Sequence, residues 1–351
     1  MIYYLQTLHL ARIIPIILLF VSALHAQTLE AATDSAATAD TVRLDSATET
    51  QSPAEAGRPV RPFSLFDYGE IIPFGLSLDY LYYHEDISDD IGNFPVYGVP
   101  KSTEYGFLIG LRGGATFYSL ENKLFLRPRA AVLLGFGNTY DGSLQRQPIL
   151  GPAGDTAGFE YTPYKFTKNN FFLHAGCDLG YSFPHFNFPF ALYTGLDFKL
   201  WYRDLMESQD VLYYTPGVAN SETYYWLGVP LGVLITRPVS TKLLLGMDAC
   251  ATVMFTGGMN VAMTAADGSP LNYPAVTLGN RTSLKVELFM QRKLDERLSV
   301  KFAPYFLWYN FGKSNSEPSP GGNGASFFEP SSTSYLMGFI LTWEVLSKRF
   351  Y

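Results

Sequence analysis

The stretch SYLMGFILTWEVLSKRFY, residues 334–351, decides the fold predicted for this chain. Apolar or aromatic residues occupy every second position over 335–345, and Gly338, Thr342 and Glu344 lie between them. Side chains of a β-strand point alternately to its two faces, so the segment predicts a strand with one apolar face and one small or polar face. Such a strand suits a sheet that has lipid on one side.

The composition of the whole chain fits a sheet of that kind. Apolar residues make up 47% of the 351 residues and charged residues only 16%, which is little charge for a soluble protein of this size. Beyond the N-terminal region, no apolar run reaches the roughly 20 residues that a membrane-spanning helix needs. Dispersed, alternating apolar residues are typical of a transmembrane β-barrel. The net charge of −7, without a basic cluster, argues against nucleic acid as a partner.

The N-terminal region predicts an export signal followed by a tail. Arg12 precedes the uncharged run 13–24, and a small residue, Ala26, offers a cleavage point, as in a secretory signal peptide. The following stretch is rich in Ala, Thr, Ser, Asp and Glu, a composition that cannot bury enough apolar surface to order itself. The predicted domains are a signal peptide over 1–26, a disordered periplasmic tail and linker over 27–62, and a barrel over 63–351.

Ten alternating segments follow, and each is long enough for a tilted membrane strand of about 9–11 residues. Their predicted spans are 74–84, 104–118, 124–138, 167–181, 190–204, 223–236, 242–256, 280–291, 298–310 and 333–346. Short breaks alternate with long ones, which cover 85–103, 139–166, 205–222, 257–279 and 311–332. This alternation is typical of outer-membrane barrels, and a soluble β-sandwich, the alternative, does not need it.

The predicted fold class is therefore all-β, a transmembrane antiparallel up-and-down β-barrel of about ten strands with a disordered N-terminal tail. Because lipid offers no partner for backbone groups, the last strand must pair with the first. Eight or twelve strands stay open if one segment is misassigned.

The last strand also resembles the C-terminal assembly signal of bacterial outer-membrane proteins, which the barrel-assembly machinery recognises. The residues that carry this resemblance are Phe339, Leu341, Trp343, Phe350 and Tyr351. The match is partial, because Ser-Lys-Arg stands before the final aromatic pair. The ten-segment pattern and YYWLGVPLGVLI (224–235) resemble the broad outer-membrane β-barrel families of Bacteroidetes-type bacteria. That resemblance covers the barrel only and carries no functional residue.

The alternation also assigns charged residues to the barrel interior. The predicted interior set is Asp79, Glu104, Arg112, Arg127, Arg129, Asp178, Asp197, Lys199, Arg203, Asp248, Arg281, Lys285, Glu287, Lys301 and Glu344. Acids and bases nearly cancel in this set, and ten strands enclose a narrow interior. Ionisable groups at membrane depth must pair or contact water, so we expect a salt-bridged, largely filled lumen.

Few residues of the chain point to catalytic or metal-binding chemistry. Cys177 is predicted to face lipid and Cys250 the interior, so we expect two free thiols rather than a disulfide. His84, close to Asp86 and the following acids, is the group to test for a rim-sited hydrolase such as an omptin-like protease or a lipid-modifying enzyme. The spacing of those families is absent. The sequence predicts no catalytic residue, no metal and no cofactor.

The leading functional hypothesis is a non-enzymatic barrel in the outer membrane of a Gram-negative bacterium. Its role would be structural, adhesive or surface-binding, with an extracellular ligand at the long loops. Outer-membrane lipid, lipopolysaccharide and the barrel-assembly machinery are the other expected partners. The alternatives are a small porin-like or substrate-specific channel and, third, the rim hydrolase.

Overall fold

A computed structural model describes residues 62–86, 96–97, 101–119, 123–154, 156–184, 186, 188–205, 217–265, 270–272, 275–318 and 326–347. The predicted signal peptide 1–26, the predicted tail up to residue 61, and Phe350 and Tyr351 lie outside these ranges. The described residues belong to one compact unit, Val60–Tyr351. Among them, no helix has the length and apolar character to cross a membrane.

Ten antiparallel strands form a closed barrel. They are β1 Glu70–Asp86, β2 Ser102–Gly114, β3 Leu124–Leu150, β4 Thr156–Phe183, β5 Phe190–Leu205, β6 Gly217–Pro238, β7 Leu243–Ala265, β8 Thr282–Lys293, β9 Leu298–Phe311 and β10 Ser331–Ser347. Each strand pairs with the next along the chain. β1 also pairs with β10, from Glu70 against Ser347 to Asp86 against Ser331, and closes the sheet. The predicted fold class and strand number are confirmed.

Alternation along the strands gives the barrel an apolar outer surface and a packed interior. On β10, Phe339 and Leu341 are exposed on the outside, whereas Thr342 and Glu344 are buried inside. Other outward residues that are exposed are Leu192, Leu196, Leu284, Leu288 and Met290. A closed barrel of this kind pairs its backbone within the wall and presents apolar side chains to the acyl chains of a bilayer.

The two ends of the barrel differ, and we name them the turn end and the hairpin end. At the turn end, short connections join β2 to β3, β4 to β5, β6 to β7 and β8 to β9. At the hairpin end, β3 and β4 continue as one long hairpin that turns at residues 151–154, with Gly154 at φ 78°. The prediction of a loop over 139–166 is therefore wrong, because most of that range pairs as strand.

The predicted loop over 257–279 is also partly strand. β7 runs to Ala265, and the short strands Pro270–Asn272 and Val276–Thr277 both pair back onto it. Glu317–Pro318 pairs with Ser326–Phe327 in the connection between β9 and β10. Backbone pairing thus extends several connections of the hairpin end beyond the predicted strand ends.

A bulge interrupts β3 at residues 135–138, opposite breaks in its pairing with both β2 and β4. Gly137 has φ 66°, a conformation that glycine adopts without steric penalty. Its N–H donates to Asn169 Oδ1 at 3.2 Å, so a side chain replaces the missing backbone partner. Phe136 projects outward and is 73% exposed.

The segment 63–69, which precedes β1, covers the turn end. It contains a single 3₁₀ turn, Leu65–Asp67. Phe63 N donates to Ser240 O in the β6–β7 turn at 3.0 Å, and Gly69 N donates to Ser347 O of β10, also at 3.0 Å. In a ring of ten strands these two anchor points lie on opposite sides, so the segment crosses the barrel mouth. Its buried side chains are Phe63, Leu65, Phe66 and Tyr68.

Candidate functional site in the barrel interior

The interior contains a continuous run of ion pairs, which we call the ion-pair chain. It begins on β10, where Glu344 lies 3.9 Å from Lys301 Nζ of β9. Lys301 Nζ also lies 3.1 Å from Glu287 of β8, which pairs with Lys285 on the same strand at 2.9 Å. Lys285 Nζ is 3.9 Å from Asp248 of β7. These residues come from neighbouring strands and follow the wall.

The ion-pair chain then crosses the lumen. Arg127 of β3 contacts Asp248 at 3.2 Å through Nη1 and Asp178 of β4 at 3.0 Å through Nε. Asp178 also accepts from Arg129 Nε at 3.0 Å. Arg129 lies 3.0 Å from Asp197 of β5. The chain ends at the pair between Asp197 and Lys199. Acidic and basic side chains alternate from end to end, so interior charge is balanced locally.

A second ion pair joins β1 and β2. Arg112 Nη2 lies 3.3 Å from Asp79 Oδ2. Tyr305 OH of β9 donates to Asp79 Oδ1 at 2.6 Å and accepts from Arg112 Nη2 at 2.6 Å. Gly338 of β10 lies against this group, and a Cβ there would come within 2.5 Å of Asp79 Oδ1. The small residue on the inward face of the last strand therefore leaves room for a buried carboxylate.

Arg203 of β5 is the centre of a separate cluster towards the hairpin end. Its Nε and Nη2 donate to Glu104 Oε2 of β2 at 3.1 and 2.9 Å, and its Nη1 donates to Glu222 Oε2 of β6 at 2.5 Å. Glu85 of β1 lies 3.6 Å from the same Nη1. Lys168 of β4 lies 3.6 Å from Glu104. One guanidinium thus serves three carboxylates, a geometry that its fixed fork of donors allows.

Aromatic rings enclose the Arg203 guanidinium. Its Cζ lies 4.6 Å from the ring centroid of Tyr83, 5.0 Å from Trp201 and 5.7 Å from Tyr224. Trp201 stacks between Tyr224 and Phe172, at centroid distances of 5.3 and 4.9 Å. Cation–π contacts of this kind strengthen when they are shielded from water, and all five side chains are buried.

Glu329 completes this cluster from outside the wall. It lies in the connection between β9 and β10, yet its side chain is only 6% exposed. Its Oε1 accepts from Tyr224 OH at 2.7 Å and from Tyr83 OH at 3.2 Å. We call the whole group the mouth cluster, which consists of Tyr83, Glu85, Glu104, Lys168, Arg203, Glu222, Tyr224 and Glu329.

Four charged members of the mouth cluster were missed by the sequence analysis. Lys168 falls within a predicted strand, and the even-numbered alternation of β4 would have placed it inside. Glu85 and Glu222 lie one residue beyond the predicted strand ends, because β1 and β6 are longer than the pattern suggests. Glu329 is in a connection, where no alternation exists to reveal its orientation.

Arg281 is the member of the predicted interior set that stands apart. β8 begins at Thr282, so the strand alternation does not extend to Arg281, which is exposed and has no ion pair to a described residue. Of the predicted assembly signal, Phe339, Leu341 and Trp343 are exposed on the outer surface. Its last two residues lie outside the described part of the chain.

Two spaces adjoin the barrel wall, one inside and one outside. An interior cavity beside Trp226, Tyr309 and Phe311 measures about 10 Å³, which is about the minimum that holds one water. A recess of about 400 Å³ lies instead on the outer wall, between Leu231 and Leu284. The interior near that small cavity is therefore tightly packed.

The cysteines and histidines occupy separate places. Cys177 is exposed, Cys250 is buried, and both are free thiols, as predicted. His174 is buried inside, with Nε2 3.3 Å from Tyr309 OH. His84 is exposed, with Nδ1 3.5 Å from Thr103 Oγ1. No group of three potential metal ligands occurs within the described ranges.

No protein-family model matches the sequence, and no curated protein matches it. The resemblance to Bacteroidetes-type families therefore stays a prediction. Solved structures that the fold resembles include the toluene transporter TodX of Pseudomonas putida, at 10% identity and TM-score 0.34 over 80% of this chain and 91% of that chain. OprG of Pseudomonas aeruginosa is 10% identical, with TM-score 0.31 over 79% of this chain and 96% of that chain. A major outer membrane protein of Thermus thermophilus is 12% identical, with TM-score 0.32 over 76% of this chain and 98% of that chain. Identities and TM-scores this low carry no argument about function.

The location follows from the architecture itself. A closed antiparallel barrel with an apolar outer surface, short turns at one end and longer connections at the other is the design of outer-membrane proteins. The chain is accordingly an outer-membrane β-barrel protein of the Gram-negative type.

Proposed function

We propose that this protein is a non-enzymatic outer-membrane barrel with a closed lumen, whose hairpin end is the extracellular working surface. The turn end, where β1 begins and β10 ends, would face the periplasm. Lipid and lipopolysaccharide would surround the apolar wall, and the barrel-assembly machinery would insert it. The ligand would be an extracellular molecule bound by the extended strands.

The ion-pair chain is the observation that carries the closed lumen. Asp248 on β7 and Arg127 on β3 meet across the interior, so the chain spans the space through which a solute would pass. Opening that space would remove partners from the buried carboxylates of Asp178, Asp197 and Asp248, and an unpaired charge in a low-dielectric interior costs several kcal/mol. An open pore more often has a lining with one sign of charge in excess.

The long hairpin supports the proposed working surface. β3 has 27 residues and β4 has 28, whereas crossing the hydrocarbon core takes about 9–11. More than half of each strand is therefore available beyond the bilayer. Backbone pairing gives such an extension a fixed shape. A surface with a fixed shape loses less conformational entropy on binding a ligand than a flexible loop does.

Single-channel recording in a planar bilayer tests the closed lumen. The refolded mature chain should give no stable conductance steps, while heat-modifiable gel migration reports that it is folded. Replacing Arg127 and Arg129 with Gln should produce conductance, because Asp178 then loses both of its basic partners and Asp197 and Asp248 lose one each. Arg281→Gln, an exposed basic residue outside the ion-pair chain, is the matched control and should stay silent.

Conductance steps in the wild-type protein would contradict the closed lumen and favour a second candidate, a gated channel. A specific observation supports that candidate: each mouth is covered by a segment that is not part of the barrel wall. These covers are the segment 63–69 at the turn end and Glu329 at the hairpin end. A gated channel would conduct once residues before Asp67 are deleted, even with Arg127 and Arg129 intact.

A further inference from the structure

We propose that Glu329 is a proton-dependent latch that holds the β9–β10 connection in the hairpin-end mouth of the barrel. The inference concerns the mouth alone, so it stands whether the lumen below is closed or gated.

Glu329 lies in the connection between β9 and β10. Its carboxyl group enters the mouth from a connection, while its backbone is tied to the same connection. Ser314 N donates to Glu329 O at 2.9 Å, and Glu329 N donates to Ser314 Oγ at 2.7 Å. Asn315 N in turn donates to Thr277 O at 3.1 Å. Withdrawing the carboxyl would therefore release the backbone bonds between the two halves of the connection.

Carboxyl groups outnumber bases around Glu329. Tyr83 and Glu85 face it from β1, Tyr224 and Glu222 from β6, and Arg203 from β5; Glu104 and Lys168 belong to the same cluster. Arg203 is already shared by Glu85, Glu104 and Glu222, and Lys168 by Glu104. Four carboxyl groups thus face two bases, and no base among the described residues forms an ion pair with Glu329.

Two buried hydroxyl groups beside the mouth cluster lack hydrogen-bond partners within the described structure. Ser332 and Ser334 on β10 are 3% and 1% exposed, and their Oγ atoms have no hydrogen-bond partner within the described structure. In the barrel sheet they pair with Glu85 and Tyr83 of β1. Polar atoms beside the cluster are therefore left unsatisfied.

Burial raises the pKa of Glu329 well above its ordinary value, and the negative charges of Glu85 and Glu222 raise it further. Below the ordinary carboxyl pKa, the latched and released forms both hold the proton. Between the ordinary and the raised pKa, only the latched form holds it. In that window each pH unit weakens the latch about tenfold, because one proton is lost on release.

Hydrogen exchange of the peptide that covers residues 312–330 tests the latch, in the refolded full chain in lipid vesicles. After correction for intrinsic exchange rates, protection of the wild type should fall about tenfold for each unit by which pH rises, as expected for the loss of one proton. Glu329→Gln keeps the hydrogen bonds without a titrating charge, so its protection should not change with pH. Glu317→Gln, in the same connection, is the matched control and should behave as the wild type does.

Glu85→Gln gives an independent reading. It removes a like charge and leaves Arg203 freer to neutralise Glu329. The midpoint of the pH-dependent loss of protection should therefore move to lower pH. The latch is overturned if wild type and Glu329→Gln lose protection in parallel. If Glu329→Gln does not fold, an unmoved midpoint in Glu85→Gln overturns it instead.

Discussion

Replacing Arg203 with Met tests the energetics of the barrel interior most directly. Arg203 is 1% exposed and donates to both Glu104 and Glu222. Met fills much of the same volume but leaves these carboxylates without their strongest partner. Removing one member of a buried ion pair costs about 3–5 kcal/mol. We expect the free energy of unfolding to fall by that amount.

The measurement is urea-induced unfolding of the protein in lipid vesicles, followed by tryptophan fluorescence and heat-modifiable gel migration. Arg237→Met, an exposed residue near the turn end, is the matched control, and its effect should stay within about 0.5 kcal/mol. Adding Glu104→Gln to Arg203→Met should recover about 1–3 kcal/mol, because it removes a buried carboxylate that keeps only the more distant Lys168. Equal losses for Arg203→Met and Arg237→Met would refute the view that this ion pair is a buried, coupled unit.

Two further predictions concern the barrel wall. Gly137→Ala should lower the free energy of unfolding by about 1–2 kcal/mol, because its φ of 66° disfavours a residue with a Cβ; Gly113→Ala, where a Cβ would meet nothing closer than 3.7 Å, should cost less, and an equal loss would contradict the bulge. A membrane-soluble maleimide should label Cys177 but not Cys250 in the folded barrel, as mass spectrometry of the peptides can determine; labelling of both thiols, or a cross-linked 177–250 peptide, would contradict their assignment to opposite faces.

The alternation of side chains explains why the wall was predictable from sequence. Every strand must place apolar residues outside, and charged residues are accommodated only inside, so a period of two persists through all ten segments. The same rule placed most interior charges, from Asp79 on β1 to Glu344 on β10. It failed where the strand stopped, at Arg281, because alternation has meaning only while the backbone stays extended.

The hairpin end shows where local pattern loses information. Residues 139–150 and 156–166 contain Gly, Pro and many polar residues, so their composition resembles that of a loop. Their pairing depends on the partner strand, which a single segment does not specify. The extra length of β1 and β6, and with it the inward position of Glu85 and Glu222, was missed for the same reason.

The sequence by itself indicated a closed barrel of about ten strands, the side of the wall that most of its charged strand residues face, and two thiols on opposite faces. Those features follow from a repeat of two residues and from the need to pair every backbone group in lipid. Tertiary structure alone decided which charges meet across the lumen, that Arg203 serves three carboxylates, and that Glu329 enters the mouth. These contacts join residues far apart in the chain, and their geometry depends on the curvature and register of the closed sheet.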